Sequence, residues 1–366
     1  MGNQQENAPS MEGVGKRTSP LMKAFQRRAR DILPVLLAVA GAIIIGGLII
    51  TISGENPFKA YFSLLYGAVG DGYNIAATFG RSIPIIGCGI AAALAFKAGL
   101  FNIGGEGQLV LGALSATVIA LYFPPGPLAI VVALLCSLIA GGLWGFLSGW
   151  FEVQFKVPIL ISSLLMNYIA VGFVSYMISF PLIEKGGARN QTPQFPEASR
   201  FARLISGTSV HWGIFVIIAL VILVSFIMYK TVAGYDLRMF GANREFSVSS
   251  GVSSIKMTLF TMLASGMMAG ITGASQVLGV HYRFIDSSLT LPGYAWTGVM
   301  AAILSNNNPI GVVIAGLFFS MLQTGALGME RATEVPSELS NIVQAIMIVL
   351  IAVRYFLMPA ITERES

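Results

Sequence analysis

A carboxylate, two amides and three glycines stand close together between two apolar stretches of this sequence. They lie in the string LAFKAGLFNIGGEGQLVLGAL, which covers residues 94–114 and includes Asn102, Glu106 and Gln108. A charge at the centre of a bilayer costs about 2.5–3.5 kcal/mol on insertion scales, so carboxylates there usually face protein or water. Glycines suit an interrupted helix or a close backbone approach. The pattern indicates a structural break beside a solute path, a cytoplasmic turn in which Asn102 caps the next helix, or both together.

Further polar residues lie inside or at the ends of later apolar stretches. Asn167, with Tyr168 beside it, is near the middle of one stretch, and its amide can bond another helix or a polar solute. Gln276 and Trp296 belong to a polar and aromatic group farther along, which is typical of either an aromatic belt or a ligand-stacking surface. The residues predicted to line a solute path are Asn102, Glu106, Gln108, Asn167, Tyr168, Gln276 and Trp296.

The sequence offers little for catalysis or for a metal. His211 and His281 have no cysteine or histidine at metal-ligand spacing, so we predict no metal site. Residues 13–18 superficially resemble a phosphate-binding loop, but Arg17 stands where serine or threonine belongs and no strand precedes it. No G-x-S-x-G string occurs. We therefore predict a protein that is not an enzyme and needs no cofactor.

The composition places the chain in a membrane. It has 366 residues, of which 55% are hydrophobic and 11% charged, and its mean hydropathy is +0.76. Soluble domains carry about 25% charged residues, so lipid must cover much of this surface. The net charge of +5 comes from basic residues between apolar segments, which favours a role in topology over binding of nucleic acid. Cys88 and Cys136 both lie in apolar runs and are predicted to be buried side chains, not a disulfide.

The apolar pattern predicts an all-α, polytopic transmembrane bundle of about ten segments. Most segments reach the roughly 20 residues that cross a bilayer, while 82–96 and 292–305 are short enough to be tilted or broken. The predicted segments are 32–53, 82–96, 104–123, 127–151, 159–183, 212–229, 256–279, 292–305, 309–328 and 339–358.

Basic residues predict the orientation of this bundle. Lysine and arginine are more frequent in the stretches that lie inside if the N-terminus is cytoplasmic, so both termini are predicted to be cytoplasmic. The first apolar run continues without an obvious cleavage site, which favours a retained helix over a signal peptide. The predicted organisation is a cytoplasmic tail (1–30), a transmembrane domain (31–358) with an exterior loop (184–211) and a cytoplasmic loop (230–255), and a C-terminal tail (359–366).

Several strings resemble one known family. FNIGGEGQLVLGAL is similar to the signature of permease subunits in binding-protein-dependent ABC importers of the branched-chain amino acid and ribose group, and within it to the nucleoside and simple-sugar subgroup. GANREFSVSSGV resembles the family's cytoplasmic coupling segment, although it has Phe246 to Ser249 where paired alanines are common and Val252 where isoleucine is common. YAWTGVMAAILSNNNPIGVVIAGLFFS and VPSELSNIVQAIMIVLIA resemble the last helices, so the resemblance covers roughly residues 30–358.

The resemblance implies a division of labour among subunits. Two permeases form a central path, two cytoplasmic ATP-binding subunits hold short helices on their interior loops, and an extracytoplasmic binding protein or lipoprotein delivers the solute. The implied location is the bacterial cytoplasmic (inner) membrane, and similarity to the longer of two paired subunits favours a heterodimer. The loop at 230–255 is the implied coupling segment. Its candidate coupling residues are Asp236, Leu237, Gly241, Asn243, Arg244 and Gly251.

The expected function is therefore passage of nucleosides through an ABC importer, driven by ATP that partner subunits hydrolyse. Simple sugars such as ribose or galactose are the main alternative solutes, because nothing in the chain reads a base or a ribose. An ion-coupled secondary transporter acting alone, with Glu106 as its proton or sodium site, is a second hypothesis. A membrane scaffold or sensor without transport is a third.

Overall fold

The computed structural model is predominantly helical over its described residues. These residues are 40–52, 54–187, 189–333, 335–339, 341–342 and 345–346. Apart from helices they form turns and two isolated bridges, Gln191 with Ile285 and Arg203 with His211. The predicted tails 1–30 and 359–366, and most of the predicted segment 339–358, lie outside the described residues.

Twelve α-helices make up the described bundle, and a π-helical turn, Val277–His281, continues the tenth. They are α1 Ala40–Ile52, α2 Pro57–Val69, α3 Gly72–Lys97, α4 Gly105–Tyr122, α5 Pro127–Phe155, α6 Ile159–Ser179, α7 Gly213–Lys230, α8 Val232–Ala242, α9 Arg244–Ser249, α10 Ser254–Gln276, α11 Tyr294–Leu304 and α12 Pro309–Ala332.

The prediction of an all-helical membrane protein is confirmed, whereas the predicted count of about ten spans is not. Seven of the described helices are long and apolar enough to cross a membrane, and an eighth span is counted if α1 and α2, which meet at 119°, form one broken crossing. At 11 residues, α11 is too short to span a bilayer by itself. The predicted segment 82–96 is the second part of the longer α3. The prediction began too late because Asn74, Thr78 and Arg81 interrupt the apolar run in the first part of this helix.

Glycines bring α4, α5 and α10 into close contact. A Cβ atom at Gly270 would overlap the Ser137 carbonyl oxygen and lie 3.0 Å from the Gly141 Cα, so the α5 and α10 backbones pack directly together. A Cβ atom at Gly112 of α4 would overlap the backbone of Gly270 itself. Small residues at helix interfaces are the usual means of close packing in lipid.

The other half of the bundle is built in the same way from α2, α3, α11 and α12. A Cβ atom at Gly298 would lie 2.7 Å from the Gly89 nitrogen, and one at Gly67 would lie 2.7 Å from the Gly328 Cα. Helix α10 packs against both α5 and α3 and so joins the two halves. The polar features described below lie along this junction.

The exterior loop predicted at 184–211 is attached by backbone hydrogen bonds to the residues that follow α10 and its π-helical turn. Thr192 N–H donates to the Phe284 carbonyl at 2.9 Å, and Phe195 N–H donates to the Tyr282 carbonyl at 2.8 Å. These bonds satisfy backbone groups that an irregular loop would otherwise leave unpaired. The loop therefore covers one end of the bundle.

Candidate functional site

The chain between α3 and α4 turns back into the bundle. Residues 98–104 form no helix, and the Asn102 amide donates to Ser265 Oγ at 2.9 Å, which in turn donates to the Ala91 carbonyl at 2.7 Å. Ala91 precedes the last residue of α3, Lys97, by about 9 Å along the helix axis. Helix α4 thus begins inside the bundle, at a depth where irregular backbone occurs only if protein or water surrounds it.

The side chain of Asn167 on α6 holds this irregular segment in place. Its Oδ1 accepts from Gly107 N–H at 2.8 Å, and its Nδ2 donates to the Ile103 carbonyl at 2.9 Å. Ser163 Oγ accepts from Ile103 N–H at 3.2 Å. Both ends of the Asn167 amide are used and the residue is only 3% exposed. Of the two uses predicted for the Asn167 amide, these contacts match a bond to another part of the bundle and not a bond to a solute.

Asn102 and Gln108 belong to the same buried network. Their amides exchange two hydrogen bonds of 3.3 Å each, and both residues are buried. Asn102 Oδ1 also accepts from Gly104 N–H at 2.9 Å. The expectation that Asn102 caps the next helix is wrong, because the N-cap of α4 is Gly104. The Asn102 amide bonds Ser265 and Gln108 instead. The non-helical residues 98–104 are the structural break that the glycines indicated.

Glu106 lies where the first turns of two helices meet. It is in the first turn of α4 and half-buried, and Trp296 on α11 lies near its carboxyl group. A Cβ atom at Gly105 would lie 3.8 Å from the Ala295 Cβ, so the two helix starts are adjacent. Helix N-termini favour a negative charge. The structure therefore brings together two of the predicted path residues, Glu106 and Trp296.

Tyr168 lies apart from these groups. It is on α6 next to Asn167 in the sequence, but its side chain points the other way and is 70% exposed on the bundle surface. It contacts neither the buried network nor the cavity described next. Its position suits a contact with lipid or with another chain.

A polar cavity of about 330 Å³ lies between α3, α10, α11 and α12. It is at the end of the bundle where α2 and α12 end and α3 begins, and a neighbouring hollow of about 360 Å³ shares its rim. Small-molecule sites are commonly about 300–1,000 Å³. The polar side chains that line it and bear most on its chemistry are Asn74, Arg81, Gln276, Tyr294, Thr324 and Arg331.

The charged side chains that line this cavity are all basic. Arg81 is half-buried within α3, and its charge acts on the neighbouring Tyr294, while Arg331 is exposed at the rim. Within the described part of the chain, no aspartate or glutamate lines the cavity. Among the residues that the structure describes, Arg81 forms no ion pair with a carboxylate. An ionisable side chain within a membrane span normally has a partner or a function, and Arg81 lacks the partner.

Two buried polar atoms beside the cavity are also without partners. Gln276 is 2% exposed, and its Nε2 has no hydrogen-bond partner within the described part of the chain; the same holds for Thr324 Oγ1. More than about 90% of buried polar groups in proteins are paired, so these two atoms are suited to bond a polar solute. Gln276 is the one predicted path residue that lines this cavity.

Sequence reasoning missed Arg81, Asn74 and Thr324. A signal for Arg81 exists, because it stands immediately before the apolar run that begins at 82. The predicted segment begins one residue later, at 82, whereas the helix extends back through Arg81 to Gly72. Asn74 and Thr324 have no such signal, since their nearness to Arg81 arises only from packing of α3 against α12.

The predicted coupling loop contains the two short helices α8 and α9. Leu237 and Phe240 of α8 are buried. A Cβ atom at Gly241 would overlap the Lys97 carbonyl oxygen, so α8 packs directly on the end of α3. Asn243 Oδ1 accepts from Phe246 N–H at 2.9 Å and caps α9. Three predicted coupling residues, Leu237, Gly241 and Asn243, thus hold the segment to the bundle and to itself.

Arg244 ties α9 to two other helices. Its guanidinium pairs with Glu152 of α5 at 3.2 Å and donates to Ser254 Oγ of α10 at 2.8 Å. Of the other two predicted coupling residues, Asp236 is half-buried in α8. Gly251 lies at the end of the segment with φ +95°, a backbone conformation suited to glycine.

The exposed apolar side chains of α9 were not among the predicted coupling residues. Phe246 is 59% exposed and Val248 is 48% exposed. Both lie in the stretch where this sequence departs from the paired alanines common in the family it resembles. They leave an apolar surface on a short helix outside the membrane spans.

The fold and these features define a multi-pass helical membrane protein with a polar cavity at one end and a helical segment at the other. The chain belongs to the family described as the branched-chain amino acid transport system permease component, whose model matches residues 74–352. No solved structure matches the chain.

Several curated relatives match nearly the whole chain. The guanosine ABC transporter permease NupP of Bacillus subtilis is 35% identical over 90% of this chain and 95% of its own length. The glucose ABC transporter permease TsgB13 of Haloferax volcanii is 31% identical over 93% and 90%. The nucleoside ABC transporter permease NupB of Lactococcus lactis is 29% identical over 91% and 94%.

Proposed function

We propose that this chain is the permease subunit of an ABC importer for nucleosides and that ATP hydrolysed by separate subunits drives it. The observation that carries the proposal is its similarity, over about nine-tenths of its length, to permeases named for guanosine and for nucleosides. The polar cavity supports it, because an uncharged, hydrogen-bonding solute needs such a site within the membrane.

The positions of the cavity and of the coupling segment support a transport cycle. Arg81 of the cavity and Lys97, which contacts α8, lie on the same helix α3, about 24 Å apart along its axis. Movement imposed on α8 and α9 by an ATPase would therefore reach the cavity through one continuous helix, α3. With the predicted orientation, the coupling end is cytoplasmic and the cavity end faces the exterior.

The proposed partners are those that the family implies. Two ATP-binding subunits dock on α9 and its counterpart, with the exposed Phe246 as an apolar contact. A second, non-identical permease completes the central path, and an extracytoplasmic binding protein or lipoprotein delivers the solute to the cavity end. The assembly belongs in the bacterial cytoplasmic membrane, with both termini of this chain inside.

Two other functions have an observation in their favour. The glucose permease relative supports import of simple sugars by the same machinery. The half-buried carboxyl group of Glu106, set between two helix starts beside Trp296, is the kind of group that an ion-coupled transporter would titrate. We favour nucleoside import over both, because two of the three relatives reported above are named for guanosine or nucleosides.

Binding and uptake assays with the cognate binding protein test the solute class. We expect guanosine and related nucleosides to raise its melting temperature, and excess nucleoside to block uptake of labelled guanosine by cells that express the complete transporter. Ribose and galactose should do neither. If sugars stabilise the binding protein and compete for uptake while nucleosides do not, the solute is a sugar and the nucleoside assignment is wrong.

A further inference from the structure

We propose that the cavity around Arg81 recognises the base of 6-oxopurine nucleosides, such as guanosine and inosine, in preference to adenosine. This inference rests on the proposed function and deepens it by assigning the solute site and its selectivity within this chain. It stands on the unpaired guanidinium of Arg81 and on the unpartnered buried atoms of Gln276 and Thr324.

Arg81 can only donate hydrogen bonds. A guanidinium has five N–H donors and no acceptor, and its planar fork binds two acceptors that lie side by side. Among the described residues, no carboxylate lines the cavity to occupy that fork. Because Arg81 is half-buried in a membrane span, water satisfies it less well than at a surface, so a solute with two adjacent acceptors gains most there.

The purines differ in the edge that they present to such a fork. Guanine offers O6 and N7, two acceptors on one edge, and this pair is the commonest bidentate partner of arginine in base recognition. Hypoxanthine has the same two atoms. Adenine places an N6 amino donor beside N7, so one arm of the guanidinium would meet a donor. Arg81 therefore favours 6-oxopurines by elementary hydrogen-bond matching.

Two further polar groups of the cavity suit the sugar of such a solute. Gln276 Nε2 is an unpaired donor, and Thr324 Oγ1 can both donate and accept. Ribose hydroxyl groups also do both, so they can pair with either atom. The volume of about 330 Å³ is at the lower end of the range for small-molecule sites, which fits one nucleoside.

Uptake selectivity of the complete transporter tests the assignment. Cells that express all subunits, with the natural binding protein unchanged, are given labelled guanosine or adenosine, and the ratio of the two uptake rates is measured. Arg81→Gln should lower the guanosine-to-adenosine ratio about 5- to 100-fold, because glutamine matches the N6 and N7 edge of adenine instead. Arg81→Lys keeps the charge but loses the fork, and should lower the ratio less.

A matched change at the rim separates base recognition from loss of charge. Arg331 is the other cavity arginine and is exposed, so Arg331→Gln should change guanosine and adenosine uptake by similar factors and leave the ratio as in the wild type. The quantity of assembled transporter is measured for every variant. If Arg81→Gln fails to assemble, Arg81→Lys and competition by inosine in the wild type decide the question.

Each outcome has one meaning. An unchanged ratio in both Arg81 variants, or inosine competing no better than adenosine, overturns the assignment of the base site while nucleoside import stands. Stronger competition by guanosine monophosphate than by guanosine also overturns it, because the arginines would then bind phosphate. If the wild-type transporter imports no nucleoside, the proposed function itself fails and this inference with it.

Discussion

Three buried amides that look alike in the sequence have different surroundings in the folded chain. Asn102 and Asn167 use their amides to hold the irregular segment before α4, through bonds of 2.8–3.3 Å. Gln276 has an unpaired amide nitrogen beside the cavity. An apolar context predicts that a polar side chain needs a partner, but only packing determines whether that partner is another helix or a solute.

This contrast gives a prediction for two substitutions. Asn167→Ala should lower the melting temperature of the purified complex, because it leaves Gly107 N–H and the Ile103 carbonyl unpaired at about 1–3 kcal/mol each. Gln276→Met has similar volume and breaks no bond of its amide nitrogen, so it should leave the melting temperature nearly unchanged and lower solute uptake. Equal destabilisation by the two changes would show that Gln276 is a structural residue.

His211 predicts a pH dependence of stability. Burial and the neighbouring Arg203 lower the pKa of this histidine, just before α7, to about 4 from its usual value near 6.5. Its Nδ1 accepts from Gly213 N–H at 3.0 Å, and no acceptor faces its Nε2 in the described chain. The unfolded chain therefore binds a proton more readily, and stability present above pH 6.5 is lost as the pH falls toward 4.

The measurement is the melting temperature of the complex between pH 7.5 and 4. Each pH unit of difference in pKa corresponds to about 1.4 kcal/mol, so the loss should be on the order of a few kcal/mol. His211→Asn cannot titrate in this range and should show a shallower dependence, although its starting stability will be lower. Parallel curves for the two proteins would mean that His211 does not control the loss.

At the scale of elements, the periodicity and length of apolar runs predicted the long helices well. Residues 104–123 and 127–151 correspond closely to α4 and α5. Apolar runs did not predict the first half of α3, because polar residues lie inside the bundle there. They also did not predict α2, a helix of 13 residues that is flanked by polar residues. Hydropathy predicts helices that contact lipid, but it does not predict helices whose polar faces are covered by other helices.

Glycine packing gives a prediction at this scale. Gly270→Ala should lower the melting temperature or prevent assembly, because its Cβ atom would overlap the Ser137 carbonyl oxygen on α5. Gly172→Ala on α6 is the matched control, since a Cβ atom there meets no other atom within 4 Å. We expect that control to be tolerated or slightly stabilising. Two equally tolerated variants would contradict the close contact of α5 and α10.

Helix α9 gives a second prediction. Phe246→Ala removes an exposed apolar side chain that contributes little to the fold, so the variant should assemble but lose ATPase stimulation by solute-loaded binding protein. Gly241→Val should fail for another reason, because it separates α8 from the end of α3. Full stimulation of the ATPase in Phe246→Ala would show that this side chain is not part of the docking surface.

At the scale of the whole molecule, the sequence was informative about class and much less so about the site. Ordered family strings and hydropathy predicted a helical permease, which the fold and the family match confirm. The cavity was not foreseeable, because Arg81, Gln276 and Thr324 come from helices far apart in the chain and each resembles an ordinary flanking or buried polar residue. Long-range packing alone brings them together.

The source of energy for transport tests the account most directly. The complete complex is reconstituted in liposomes with binding protein outside and ATP inside, and guanosine accumulation is compared with that of this chain alone under a proton or sodium gradient. We predict accumulation by the complex only with hydrolysable ATP, and none by the chain alone. Gradient-driven accumulation by the chain alone, abolished by Glu106→Gln, would contradict the account and identify an ion-coupled transporter.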